Sequence, residues 1–354
     1  MKIAIIGAGI FGITAAIKLS KFKDFNVDVF EKCNSIFQGA TYANHNRHHY
    51  GFHYPRSQKT LDEINSSKDE FEFYYKDSLF FNFQNLYAIS KKSNVNKFSY
   101  QDFMNKNNLK YKEIKIFGKL FNKKKISSVY KVREAVYDYN ILKDITKRRI
   151  KNKFKIFLNH NLISTKYLKK KYLLNFSHGK IKVRKNYDFV INACYSNINQ
   201  ILDIFKIKNK SYEYNLQQLA IISFDNLKKT GITVMDGNYP SFLPIPKTNK
   251  YLFAHVVKSQ LIKEISKSNL FNNVNYIKDN YESIYQESKK YLPVLHKSKY
   301  HGSIFVNRVV IKNKNDDRVS DLIYHKKNFI SILGGKVITC EKTSNEISDY
   351  IRKI

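Results

Sequence analysis

The sequence predicts an α/β fold in which a doubly wound, parallel-sheet domain is interleaved with an antiparallel α+β domain. Three observations predict it. The chain opens on a strand, a glycine turn, a helix and a second strand closed by an acid; it ends on a strand, a Gly-Gly turn and a helix; and between the two lie long stretches of β alternation.

Taken in order, Lys2 to Ile6 reads as a buried parallel strand, and Ile10 to Phe22 carries Ile10, Ile13, Ala16 and Ile17 at helical spacing. Gly7-Ala8-Gly9-Ile10-Phe11-Gly12 joins them. Gly7 permits the bend, Gly9 leaves room for a pyrophosphate against the backbone, and Gly12 lets the helix approach the sheet. The first helical N–H groups then face an anion. Asn26 to Phe30 supplies the next strand, and Glu31, nineteen positions after Gly12, is placed to accept hydrogen bonds from a ribose diol. Strand, turn, helix, strand and acid in this order make a Rossmann-like dinucleotide cradle. The block does not choose between NAD and FAD.

A polar, histidine-rich loop from Gln38 to Ser57 follows, then a helix from Leu61 to Tyr75. Phe80 to Ile89 and Lys110 to Ile126 read as strand-forming and mixed segments. Glu134 to Asp138 passes from strand into a helix, Tyr139 to Lys151. Phe154 to Leu158 and Leu162-Ile163 are further strands, and Tyr172 to Phe176 with Ile181 to Val183 form a hairpin about Ser177-His178-Gly179-Lys180. Asp188 to Ala193 is another apolar strand. From Tyr214 to Lys258 the pattern is β, with turns at Asp236-Gly237 and near Pro244 and Pro246. A helix from Ile277 to Tyr291 stops at Pro293, β segments run to Val310, and a polar turn spans Asn313 to Asp317. Phe329 to Leu333, Gly334-Gly335-Lys336 and a terminal helix complete the chain. The nucleotide domain is therefore expected in three pieces, 1–75, 139–205 and 318–354, with a substrate domain from 76–138 and 206–317.

Composition bounds the function. The 354 residues suffice for two ordinary domains, and no run of about 18 apolar residues predicts a membrane span. The N-terminal apolar stretch is broken by the glycine turn, so a secretory signal is not expected. Cys33, Cys194 and Cys340 are too few and too scattered for a disulfide framework or a metal site, so no metal is expected and a cytoplasmic location fits. The formal charge of +34 suits an anionic partner. Lysine is nonetheless spread among abundant Asn, Ile, Tyr and Phe, the bias of codons rich in A and T. Both readings stand at this point. One alternative makes the chain an RNA-modifying or RNA-binding protein, but it is arginine-poor and has no RNA module, so specific nucleic-acid binding is not expected. Peripheral contact with an anionic membrane is a further expectation.

The opening fingerprint, the strand before Asn192 and the closing FISILGGKVIT resemble the flavoprotein superfamily of D-amino-acid oxidase, glycine oxidase, L-2-hydroxyglutarate oxidase and FAD-linked glycerol-3-phosphate dehydrogenase, over essentially the whole chain. Asn44, His49, Gly51 and Tyr54 are similar to a hydroxyglutarate oxidase pattern. Pro55-Arg56-Ser57, Val234 to Gly237 and Asp316-Asp317-Arg318 resemble a less defined branch of FAD-dependent oxidoreductases. The resemblance implies a glutathione-reductase-like FAD-binding domain, with FAD as cofactor and a small molecule as substrate. The absence of a second glycine fingerprint, and so of a separate nicotinamide domain, agrees. It further implies that Gly7, Gly9, Phe11, Gly12, Glu31, Lys32, Gly39, Ala40, Thr41, Asn44, Leu162, Asn192, Ala193, Gly334, Gly335, Lys336, Val337 and Ile338 contact the cofactor. The N–H groups of Gly335, Lys336 and Val337 would face the flavin where negative charge collects on reduction. Asn192-Ala193-Cys194-Tyr195 departs from the Ala-Thr-Gly type turn usual there.

Removing a hydride from a carbon bearing OH or NH needs an acceptor ring, a group for the heteroatom proton and commonly a cation for the substrate carboxylate. The loop holds His45, His48, His49 and His53; the resemblance makes His49 the proton acceptor, with His53 and Tyr54 beside the substrate. An amine substrate would not require the base. Arginine gives a carboxylate a planar fork, and Arg47, Arg56, Arg308 and Arg318 are candidates, Arg318 foremost by the resemblance. His255 is a candidate from the sheet, with a core histidine as its alternative. The implied activity is oxidation of a small amino acid, 2-hydroxy acid or sugar-acid-like substrate, with oxygen or a quinone as electron acceptor.

Overall fold

A computed structural model describes residues 1–267, 278–311 and 318–354. The Asn313–Asp317 turn, with Asp316 and Asp317, and the expected helix start at Ile277 lie outside the described residues.

The centre is a six-stranded sheet in the order Asp321–His325, Phe329–Leu333, Phe189–Asn192, Lys2–Ile6, Asn26–Phe30, Lys155–Phe157. All pairs are parallel except the first, where Asp321–His325 returns antiparallel on Phe329–Leu333. Strands that come from distant parts of the chain thus lie side by side, as a parallel sheet demands of its crossovers. Helix Ile10–Leu19 packs against helix Cys340–Arg352 on one face, and Ile3, Ile5, Ile13, Ile17, Ile330, Ile347 and their neighbours form the core between them and the sheet. A three-stranded antiparallel sheet, Asn161–Leu168, Lys171–His178 and Ile181–Tyr187, covers the other side through Leu162, Tyr172, Leu174, Phe176 and Tyr187.

The second large element is a nine-stranded sheet in which the long strand Tyr212–Phe224 pairs with Gln260–Ser266, Lys250–His255 and Ser298–Val310. It is mixed where wholly antiparallel pairing was expected: Gln84–Ser90 and Thr230–Met235 run parallel, which the long excursion between them permits. Two helices escaped the sequence reading, Lys97–Lys106 and Ile198–Ile204, as did the two-residue strand Arg47–His48. The first of these helices starts on a capping box: Asn96 accepts the Ser99 N–H while Ser99 Oγ accepts the Asn96 N–H. The Leu61 helix begins three residues early, at Gln58, because the Ser57 hydroxyl accepts the Thr60 N–H. No described helix is long and apolar enough to cross a membrane.

Candidate functional site

Between the parallel sheet and the large sheet lies a cavity of about 950 Å³. The glycine turn forms one end. Gly7 has φ +105°, and a Cβ there would stand 2.7 Å from the Ala193 carbonyl oxygen; one on Gly12 would stand 2.1 Å from the Gly7 oxygen. Gly9 differs, because a Cβ there would meet only Thr41 Oγ1, at 3.6 Å, and would otherwise project into open space. The Gly7 and Gly12 glycines therefore close the protein on itself, and Gly9 keeps the wall low. Glycine at the helix cap offers no side chain; the Thr41 hydroxyl takes the Ile10 N–H at 3.1 Å instead. Glu31 is fixed by two backbone donors, Ala8 N–H on Oε2 at 2.8 Å and Cys33 N–H on Oε1 at 3.0 Å. Each oxygen keeps acceptor capacity for a ribose hydroxyl.

The other end is built by the histidine loop. Strand Arg47–His48 pairs with strand Ala135–Tyr137 in the register Arg47 to Val136 and His48 to Ala135, so the next residues, His49 and Glu134, arrive together. Glu134 is 1% exposed and is a hub. Its Oε1 accepts the Tyr50 N–H at 3.0 Å and lies 4.0 Å from His49 Nδ1; its Oε2 accepts from Arg47 Nη1 at 3.3 Å and from the Tyr87 hydroxyl. Arg47 Nη2 donates to Thr233 Oγ1 at 2.7 Å. Sequence reasoning missed Glu134, Tyr87 and Thr233. The available signal was a lone carboxylate at the head of an apolar strand, a residue that is rarely buried without a partner.

Four cations line the cavity beside these histidines: Arg47, Arg308, Arg318 and Lys336. Their field acts with burial. Burial first, then the Arg47 and Lys336 charges, hold His49 and His53 well below the usual imidazole range; burial with Arg47 and Arg308 takes His45 down to about 3. His49 and His53 are accordingly neutral at physiological pH. Tyr54 is pushed up to about 12 by burial, against the opposing pull of Arg318 and Arg47, and stays protonated. Its hydroxyl is 3.5 Å from His49 Nε2.

The N-terminal segment, residues 5–64, matches the family model described as an NAD(P)-binding Rossmann-like domain. No curated protein sequence matches the chain. Among solved structures, glycine oxidase from Geobacillus kaustophilus superposes with a TM-score of 0.75 at 12% identity, covering 99% of this chain and 94% of its own. L-proline dehydrogenase from P. horikoshii gives 0.74 at 14% identity, with 99% and 95% covered. Dithionite-reduced L-α-glycerophosphate oxidase from Mycoplasma pneumoniae, with FAD bound, gives 0.74 at 15% identity, with 98% and 93% covered. The chain shares the fold of these three enzymes over nearly its whole length.

Within that fold, the cavity wall contains Gly7, Gly9, Phe11, Glu31, Lys32, Gly39, Ala40, Thr41, Asn44, Leu162, Ala193, Gly334, Gly335, Lys336 and Val337, together with His49, His53, Tyr54 and Arg318. Gly12, Asn192 and Ile338 stand behind it. Gly12 holds helix to turn. Asn192 is fully buried, its amide donating to the Ile198 oxygen at 2.9 Å and accepting the Cys194 N–H at 3.2 Å, and Ile338 packs in the core of the terminal helix. Asn44 lines the wall but braces its own loop, donating to the Ala40 and Thr41 oxygens and accepting from Asn46 N–H and the Tyr137 hydroxyl. The Gly335 N–H is taken by Ser320 Oγ at 3.0 Å, which corrects the expectation that it faces the cavity; Lys336 and Val337 also line the wall. Lys336 Nζ donates to the Arg318 oxygen at 2.7 Å and lies 4.2 Å from the centre of the Tyr54 ring. At Tyr195, in the Asn192-Ala193-Cys194-Tyr195 turn, φ is +49°, a left-handed backbone position occupied by tyrosine.

The arginine candidates separate. Arg47 is committed to Glu134, Tyr87 and Thr233, and Arg56 pairs through Nε with Asp236 at the rim. Arg308 donates to a neutral acceptor, Gln217 Oε1, at 2.6 Å, and among the described residues no carboxylate pairs with it. His255 is a core residue: 2% exposed, outside the cavity wall, its Nδ1 accepts from Val257 and Lys258 N–H, and burial takes it to about 4. Cys340 is buried in the terminal helix, away from the wall.

Proposed function

We propose that this chain is an FAD-dependent oxidoreductase that oxidises a small amino acid, 2-hydroxy acid or sugar-acid-like substrate. The observation that carries the reading is one cavity that joins the glycine-and-Glu31 cradle to a neutral buried histidine set among arginines. Segments 1–75, 139–205 and 318–354 would hold the cofactor and 76–138 and 206–317 the substrate. The fit to a flavin dinucleotide is good: Gly9 leaves space beside the first helix, Glu31 presents acceptors, and Gly334 abuts Phe11 so closely that a Cβ would stand 2.3 Å from the ring. When bound, FAD supplies the two-electron acceptor for a hydride.

The chain's own residues do the rest. Arg308, oriented by Gln217, takes the substrate carboxylate, with Arg318, which lines the same cavity, adding positive field. That choice gives the clamp to Arg308, with Arg318, the foremost candidate by resemblance, in a supporting role. His49 accepts the hydroxyl or ammonium proton at Nε2, the nitrogen nearer Tyr54, while Nδ1 faces Glu134. Tyr54 offers its hydroxyl to the substrate heteroatom. The electron acceptor we propose is oxygen or a quinone.

Colour is the first test. Purified protein should show flavin absorption or take it up from added FAD, and colourless protein that refuses FAD would sink the reading. Anaerobic screening of amino acids and hydroxy acids for bleaching of the bound flavin then identifies the substrate class.

A further inference from the structure

The charge of the chain is not evenly laid out. Between Asp144 and Asp188 there is no acidic residue, and that stretch carries 14 of the chain's 63 lysines and arginines. Much of it folds as the three-stranded sheet Asn161–Leu168, Lys171–His178 and Ile181–Tyr187. One face is core, through Leu162, Tyr172, Leu174, Phe176 and Tyr187. The register fixes the other. Lys166 stands opposite Leu173, which stands opposite Asn186; Ser164 opposite Asn175 and that opposite Arg184; Leu168 opposite Lys171; and Ser177 opposite Lys182.

Alternation therefore gathers Lys166, Lys171, Lys182 and Arg184 on one exposed face, with Lys169, Lys170 and Lys180 in the turns at its two ends. Lys171 has an ion pair, with Asp188 at 3.3 Å. Among the described residues no carboxylate pairs with Lys166, Lys169, Lys170, Lys180, Lys182 or Arg184. Two leucines sit among these cations: Leu168, 57% exposed at the strand end, and the half-buried Leu173.

We propose that this outer face docks on an anionic lipid bilayer. A sheet face of lysines around exposed leucine suits headgroups, because the ammonium groups can reach phosphates while their stems and Leu168 enter the interfacial layer. Nucleic acid fits less well: the face has one arginine for every three lysines, and the rings of Tyr172, Phe176 and Tyr187 turn to the core, leaving none of these for base stacking. The proposal does not depend on the bound cofactor or on the reaction.

The test uses the full chain and sedimentation with vesicles of phosphatidylcholine, with and without phosphatidylglycerol, at low and high salt. Binding is expected only with phosphatidylglycerol, weakening as salt rises. Combined Lys166→Glu, Lys182→Glu and Arg184→Glu should lower the affinity by roughly a hundredfold or more. Leu168→Ser should lower it further at unchanged charge. If the triple variant unfolds, Lys166→Gln with Lys182→Gln decides the matter by the same readout. Equal sedimentation of folded variant and parent, or no binding to anionic vesicles at low salt, would overturn the proposal. So would filter retention of transfer RNA that the triple variant loses while vesicle binding is absent.

Discussion

The two ends of the cavity are made in different ways. At the glycine turn the geometry is backbone: Gly7, Gly9 and Gly12 lie within six residues, and the conformations they permit are set by the lack of a Cβ. At the histidine end it is side chain: Arg47 meets Thr233 from a distant strand and Glu134 from just before another, and Arg308 meets Gln217 across a strand pair, contacts that exist only through sheet register. The first kind of site is a local steric pattern. The second exists only once the whole molecule is folded, and its electrostatics follow from that burial.

The largest expected effect separates the glycines within the first end. Gly12→Val places carbon where the Gly7 oxygen already lies at 2.1 Å, and both are backbone-bound, so neither can step aside. Flavin binding and thermal stability should both be lost. Gly9→Ala should melt as the parent does, its Cβ meeting only Thr41 at 3.6 Å, yet bind FAD far more weakly. Equal FAD titrations for Gly9→Ala and the parent would show that the pyrophosphate does not pass there.

At the histidine end, Glu134→Gln leaves the Arg47 guanidinium buried without its carboxylate, a loss of about 3–5 kcal/mol in urea unfolding. His49→Ala should keep the flavin and slow bleaching by a hydroxy acid by about 10²–10⁴-fold. Unchanged bleaching would remove His49 from the reaction. Arg308→Lys, by contrast, should raise KM more than it lowers kcat, since it alters a clamp on the carboxylate.

How much of this was readable follows the same division. The first two strands were placed with their correct limits, and the helix from Tyr139 begins where Asp138 caps it, because propensity, capping and period agree locally. The cavity wall at Gly7 and Glu31 was equally legible. Glu134 was not, because nothing near it in sequence says that strand Ala135–Tyr137 will pair with Arg47–His48. The contact between Arg308 and Gln217 was not legible either, because the two residues lie 91 positions apart and are brought together only by the pairing of their strands. Helix Lys97–Lys106 was overlooked for another reason: its buried face is only Tyr100, Phe103 and Met104, too short a stripe to stand out.

The pH response sharpens the contrast. The three histidines of the second end, His45, His49 and His53, and the core residue His255 all have folded pKa values below the unfolded value of about 6.5. As pH falls through 6.5 the unfolded chain takes up protons that the folded chain refuses, so stability declines with acid, by about 1.4 kcal/mol per pH unit for each such histidine, until the folded group titrates. For His45 that lies at about 3 and for His255 at about 4. His45→Asn should flatten the urea midpoint between pH 6 and 4. The catalytic consequence has the opposite character: His49 stays in its base form, so bleaching by a hydroxy acid should hold steady as pH drops from 7.5 to 6.

The smallest effect lies outside both ends. Asn96→Ala removes the side-chain acceptor of the Ser99 N–H at 2.9 Å, and with it one half of the capping box that starts helix Lys97–Lys106. The loss should be about 1 kcal/mol. The helix packs Tyr100, Phe103 and Met104 against Phe52 and Tyr87, and the Tyr100 hydroxyl donates to the Phe52 oxygen at 2.8 Å, one residue before His53. If the histidine end depends on the assembled fold as its construction implies, this remote cap should shift the rate of bleaching measurably while leaving the FAD titration unchanged. Identical bleaching in Asn96→Ala would mean that the loop around His49 and His53 is held by the Glu134 hub alone.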